Sequence, residues 1–267
     1  MSGTVRPAAR PAGPGSEQTR AERRHVDAAR PSRSSDSALV VAIDGPSGSG
    51  KSSVSRAVAG HLGLRYLDTG AMYRAVTLWM LRHDIDVDDP AAVAAAAGRP
   101  AISIGTDAAG PTVTLDGADV SRLIRTPPVT RAVSPVSAVP AVRRRLVAEQ
   151  RAIIGAGGIV VEGRDIGTVV APEAAVKVFL TASPNARAER RSAERVDPSA
   201  SVQATLEDLD RRDTFDSTRS ASPLVQAPDA VVVDATDMTL EEVVRAVVDI
   251  VRSRQPVTGA PRGGRRS

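Results

Sequence analysis

A parallel α/β sheet covered by helices on both faces is the fold this sequence predicts, and three observations predict it. Five short apolar runs alternate with segments of helical periodicity. The first run ends in a glycine-rich loop of the form G-x-x-x-x-G-K-[ST]. One stretch, about residues 86–139, breaks the alternation and reads as an inserted lobe. Strands that alternate with helices imply βαβ units, and hence a five-stranded parallel sheet with both faces buried.

The elements follow in order. The run LVVAI at 39–43 is continuously apolar, as in a strand buried on both faces. Residues 52–62 read as a helix, with Val54, Val58 and Leu62 four apart. A short strand at 64–67 leads to a helix at about 71–82 and a small helix at 91–97. Within the lobe, AISI at 101–104 and TVTL at 112–115 alternate with period two around Gly and Pro, which predicts a small antiparallel pair. Residues 139–154 are helical with arginines on one face. GIVV at 158–161 and AVKVFL at 175–180 are buried strands. Helices at about 184–195 and 202–214, a strand at 230–233 and a helix at 240–252 complete the pattern.

Charge is unevenly distributed. The 267 residues carry a formal net charge of +4. Residues 1–38 hold seven arginines and four acids, and residues 252–267 hold five arginines and no acid. Removing these from the 35 basic and 31 acidic groups leaves 23 and 27, so the body is slightly acidic, at −4. Both ends, 1–38 and 255–267, are rich in Pro, Ala, Gly, Ser and Arg without apolar periodicity and read as disordered basic tails. The domain proper is 39–254. Aromatics are 2% of the chain, too few for a stacking platform on single strands, and no specific nucleic-acid partner is expected.

The absence of cysteine excludes a disulfide framework, a Cys-ligated zinc and a thiol nucleophile. No stretch approaches the roughly 18 apolar residues of a membrane-spanning helix. The segment MSGTVRPAARPAGPG lacks the apolar core of a secretory signal. A cytoplasmic location without membrane contact is expected.

The loop Gly45-Pro46-Ser47-Gly48-Ser49-Gly50-Lys51-Ser52 lies between a strand and a helix, the context its pattern requires. The glycines let backbone N–H groups converge on phosphate oxygens, and the helix N-terminus adds partial positive charge. Lys51 reaches the outer phosphates, and the Ser52 hydroxyl suits Mg²⁺. Lysine occurs at 51 and 177 only, against 33 arginines. The pattern predicts ATP binding by residues 45–52 and the neighbouring Ser53, without naming the acceptor.

Four segments in order, GPSGSGKS, LDTGAMYRA, VEGRDIGTVV and DSTRSASPL, resemble the bacterial cytidylate kinase family of P-loop nucleoside monophosphate kinases. The resemblance covers about 39–253. It implies transfer of phosphate from ATP to CMP and dCMP with Mg²⁺, a monomeric enzyme, an NMP-binding lobe at about 86–139 and a lid at about 184–219. It also implies roles. Thr69 and Arg74 flank the start of a helix, and the family's matching arginine holds the CMP phosphate. Arg164 would contact that phosphate, and Asp165 would help to hold cytosine; two opposite charges closing a buried strand otherwise need each other. Ser134 and Arg143 align with base contacts, with Arg144 and Arg145 as alternatives to Arg143. Arg187, Arg190 and Arg191 resemble lid arginines that close over ATP, although their helical spacing also suits a solvated basic face. Arg212 and Asp216 would reach the sugar hydroxyls, and Arg219 the acceptor nucleotide. Phe215 occupies a position often charged or polar in relatives.

Other readings compete. A P-loop kinase for another small acceptor, such as a different nucleoside monophosphate or shikimate, shares the loop. A GTPase switch would need N-K-x-D, which is absent. His25, His61 and His83 lie beside no nucleophile in the pattern and carry no site assignment.

Overall fold

A computed structural model describes residues 38–193, 202–219 and 221–254. Of the tails expected at 1–38 and 255–267, residues 1–37 and 255–267 lie outside the described residues, as do residues 194–201 within the expected lid. The five apolar runs form parallel strands. These are β1 (Val40–Asp44), β2 (Arg65–Asp68), β6 (Ile159–Gly163), β7 (Val176–Thr181) and β8 (Val231–Asp234), and their order across the sheet is β2-β6-β1-β7-β8.

Alternation along these strands builds two cores. Val41, Ile43, Val160, Val178 and Leu180 face α1 (Lys51–Leu62) and α8 (Leu240–Arg254). Ala42, Leu67, Ile159 and Val161 face α2 (Thr69–Arg82), α4 (Pro127–Ala138) and α5 (Pro140–Ile154). A strand buried on both faces must be apolar throughout, which is why these runs are continuous rather than alternating.

The helix ends explain themselves locally. Asp68 caps α2 by accepting from the Ala71 N–H at 2.8 Å. Thr239 and Glu242 form a reciprocal capping box ahead of α8.

The inserted stretch carries α3 (Pro90–Ala96) and a three-stranded sheet of β3 (Ile102–Ile104), β4 (Val113–Leu115) and β5 (Ala118–Asp119). A 3-10 turn (Leu123–Arg125) follows. The expected antiparallel pair is β3–β4, and β5 extends it. Helix α4 was not among the expected elements, and it carries Pro127, Pro128 and Pro135, proline being a poor helix former. Two of these prolines occupy the first turn, where the missing N–H has no helical partner in any case. Val113, Leu115, Val120 and Ile124 join the core on the α2 face of the large sheet. Helices α6 (Pro184–Ala193) and α7 (Val202–Thr218) precede β8.

Candidate active site

The carboxyl ends of β1, β2 and β6 open on a cavity of about 580 Å³. Ligands bind at this edge of an open parallel sheet. Each strand delivers one segment to it: residues 45–50 after β1, Asp68 and Thr69 after β2, and Glu162 to Asp165 at the end of β6.

The phosphate loop turns sharply from β1 into α1. Gly45 and Gly48 have φ of +151° and +77°, and a Cβ at Gly45 would lie 2.0 Å from the Leu180 carbonyl oxygen. Only glycine fits there. Lys51 and Ser52 open α1, and Gly50 sits at its cap. Lys51 is 6% exposed, and its ammonium donates to the Pro46 carbonyl at 2.5 Å and to Ser49 Oγ at 3.3 Å. Burial, and then Arg164, lower the Lys51 pKa to about 7. The Ser52 hydroxyl donates to Glu162 Oε2 at 3.0 Å, and the Tyr66 hydroxyl donates to Glu162 Oε1. Burial, and then Asp68, push the Glu162 carboxyl above its ordinary range.

Opposite the loop, Thr69 donates to the Glu162 carbonyl at 2.7 Å. Arg74 pairs with Asp68 Oδ2 at 2.8 Å, and Arg125 reaches the same oxygen at 3.3 Å. Burial works against the charge on Asp68, but Arg74 and Arg125 outweigh it and hold the carboxyl below its ordinary value. Arg143, on α5, is 4% exposed. It pairs with Asp165, donates to the Ser137 carbonyl at 3.2 Å, and lies over the Tyr73 ring at 5.3 Å. Its neighbours point elsewhere. Arg145 pairs with Glu149 and donates to the carbonyls of Ala97 and Pro100, while Arg144 is exposed. Of the three candidates, Arg143 alone lines the large cavity, together with Ser134.

Helix α7 closes one side. Asp216 accepts from Arg164 Nε at 2.9 Å and lies 3.5 Å from an Arg219 nitrogen. Arg212 lines the cavity, its pKa lowered to about 10 by burial and then by Arg164 and Arg191. Phe215 is 37% exposed and does not line the cavity. On α6, Arg187 donates to the Ser47 carbonyl at 3.1 Å and pairs with Asp213, which in turn accepts from the Ser47 N–H at 3.1 Å. Arg190 donates to the Ser49 carbonyl at 3.4 Å and to that of Ala235. Two of the three α6 arginines are therefore seated on the phosphate loop, and Arg191 lines the cavity.

The cytidylate kinase family model matches residues 41–253. Curated cytidylate kinases align over most of the chain. That of Streptomyces coelicolor is 59% identical over 220 residues, covering 82% of this chain and 94% of its own. That of Streptomyces avermitilis is 56% identical over 220 residues, with the same shares of the two chains. That of Rhodococcus jostii is 56% identical over 230 residues, covering 85% of this chain and 99% of its own. The chain belongs to the cytidylate kinase family.

The kinase also assembles residues to which the sequence reading gave no role, although Asp68 and Glu162 lie within two of the quoted segments. Asp44, Tyr66, Asp68, Arg125, Glu162 and Asp213 all bond to, or adjoin, the predicted site. Asp44 and Glu162 had a signal: each is an acid closing an otherwise apolar strand, where an unpaired charge is costly. Tyr66 and Asp213 had none, since their partners lie 96 and 166 residues away.

Proposed function

We propose that this kinase transfers the γ-phosphoryl group of ATP to CMP and dCMP, giving CDP or dCDP and ADP. The observation that carries the reading is the joining, in one cavity, of a complete phosphate loop to a ring of arginines that also presents a carboxylate. Arg74 Nε, Arg143 Nε, Arg212 Nε and Arg219 Nη2 are buried and have no hydrogen-bond partner among the described residues. Unpaired buried donors are costly, and an anionic nucleotide would satisfy them.

In the proposed reaction a phosphate oxygen of CMP attacks the γ-phosphorus in line. The bond to the bridging oxygen of ADP breaks as the new one forms. The attacking oxygen is already anionic near neutral pH, since a phosphate monoester loses its second proton near pH 6. No general base is needed. Catalysis is positioning and positive charge. Residues Gly45 to Ser53 cradle ATP, with Lys51 on the transferring group. Thr69, Arg74 and Arg164 hold the acceptor phosphate, Arg212 and Asp216 the sugar, Arg219 the nucleotide, and Ser134, Arg143 and Asp165 the base. Arg187, Arg190 and Arg191 shield the phosphates from water.

Mg²⁺ fits the residues present. Among the described residues no group of three or more His, Asp or Glu side chains is placed to hold a metal. Mg²⁺ instead keeps several waters and is held by one or two protein oxygens and the substrate phosphates. Ser52 would hold it, and its O–H is already donated to Glu162, which leaves its lone pairs available. When bound, Mg²⁺ offsets charge on the outer phosphates. The proposal extends to a monomer in the cytoplasm. Among the described residues no helix is long and apolar enough to cross a membrane.

The test is ADP release from ATP and Mg²⁺ with CMP, dCMP, UMP, AMP and GMP in turn. CMP and dCMP should give the highest kcat/KM. A preference for a purine acceptor, or turnover without any acceptor matching that with CMP, would overturn the reading.

A further inference from the structure

Asp44 is the last residue of β1, directly before Gly45, and it lies beside Gly163 of β6 in the sheet register. It is 5% exposed. Each of its carboxylate oxygens accepts one backbone N–H, from Ile166 and from Gly167, both at 2.8 Å. Those two N–H groups open a π-helical turn, Ile166–Val170. Such turns are rare and concentrate at functional sites.

The residue in the cap position of that turn is Asp165. An aspartate there ordinarily caps with its own carboxylate. Asp165 makes no such bond and pairs with Arg143 instead. Asp44 supplies the cap from 122 residues away, which frees Asp165 for the cavity. Gly167 makes room: a Cβ there would meet Lys177 Cδ at 3.1 Å and Asp44 Oδ2 at 3.4 Å. The arrangement is held against a cost, since burial raises the Asp44 pKa to about 6 despite the two N–H bonds.

We propose that Asp44 is a positioning residue for acceptor recognition: by capping the 166–170 turn from β1, it fixes the direction in which Arg164 and Asp165 leave β6. The inference rests on the reading of Arg164 and Asp165 as CMP contacts. It also ties those residues to the strand that ends in the phosphate loop, so one carboxylate sets the acceptor site relative to the donor site.

Asp44→Asn tests it. The amide keeps the volume but offers one acceptor oxygen, and its NH₂ faces the second N–H. Kinetics of the full chain are run below the variant's melting transition. The expected result is a KM for CMP raised about tenfold, the loss of a single charged hydrogen bond. The KM for ATP should stay within about threefold. The CMP-to-UMP ratio should narrow, as is also expected of Asp165→Asn, whose amide can donate to the uracil O4, and the double variant should cost no more than Asp165→Asn alone. A change in melting temperature without a change in KM, an equal rise in both KM values, or full additivity in the double variant would overturn the proposal. If Asp165→Asn and Arg164→Lys both leave CMP kinetics untouched, the reading of the site itself fails, and this inference with it. Should Asp44→Asn not fold, Asp44→Ser keeps one hydroxyl acceptor without the charge, and the same KM split is expected.

Discussion

Lys51 and Asp44 are both ionisable groups buried at the edge of the sheet, and in each the burial cost points to use. The Lys51 ammonium lies among Arg164, Glu162, Asp213 and Asp44. Lys51→Ala should cut turnover by on the order of 10³, because the charge acts on a phosphoryl group in a water-poor site. Steady-state kcat with CMP checks this, and turnover within tenfold of wild type would remove the assignment. Asp44 faces Lys51 and Asp165, and the stem of Lys177 lies close by. Its folded pKa, about 6, is above the ordinary 3.8, so the folded chain binds more protons than the unfolded chain between those values. The Asp44 contribution to stability is therefore largest in acid and is lost as pH rises through 6. Relative to Asp44→Asn, the wild type should gain about 2 kcal/mol on going from pH 7 to pH 4.5. Urea titrations of both chains at the two pH values measure this, and a constant difference would contradict it. The residues that carried a local pattern were legible in the sequence: Lys51 in its loop, Arg74 behind a strand, Arg164 and Asp165 at a strand end. Glu162 was not read as a partner of Ser52, because 110 residues separate them and only the fold brings them together.

At the scale of elements, legibility followed what each element depends on. The five strands depend on burial on both faces, which writes a continuous apolar run into the chain, and all five were readable. Helix α4 depends on its packing against α2, and its prolines are poor helix formers. The π-helical turn depends on a carboxylate from another strand, so no window of local sequence contains its cause. The phosphate loop depends on both neighbours, and two glycines separate its own geometry from its packing. Gly48 and Gly63 both have positive φ, +77° and +66°. A Cβ at Gly63 meets nothing within 4 Å, whereas one at Gly48 lies 2.9 Å from the Arg187 carbonyl oxygen. Both alanine variants incur the left-handed backbone cost of about 1 kcal/mol. Only Gly48→Ala also pushes α6 away from the loop. Its KM for ATP should rise at least tenfold, while Gly63→Ala lowers the melting temperature by a few degrees and leaves that KM unchanged. Equal effects on ATP in the two variants would mean that contact between α6 and the loop plays no part in holding the nucleotide.

For the molecule as a whole, the question is which parts share one core. Val113, Leu115, Val120 and Ile124 of the inserted stretch belong to the same buried cluster as Ala42, Leu67 and Val161 of the sheet, and Trp79 sits within it. The inserted stretch cannot unfold without exposing the sheet face beneath it. Trp79 is the only tryptophan, so its fluorescence reports that cluster directly. The chain ends have a different composition. Residues 1–36 and 256–267 lack the apolar periodicity needed to contribute to either core, and their arginines make the chain basic while the body is acidic. A chain of residues 37–255 should therefore match the full chain in kcat, in both KM values and in melting temperature, to within a few degrees. Its Trp79 fluorescence and far-ultraviolet dichroism should report a single coincident transition. What should change is the charge-driven behaviour. The shortened chain should pass through a cation-exchange or DNA matrix at a salt concentration that retains the full chain, because nonspecific retention follows net positive charge and weakens as salt rises. A melting temperature lowered by more than a few degrees would show that a terminal segment packs on the folded body. Equal retention of the two chains would locate the basic contact surface on the body instead.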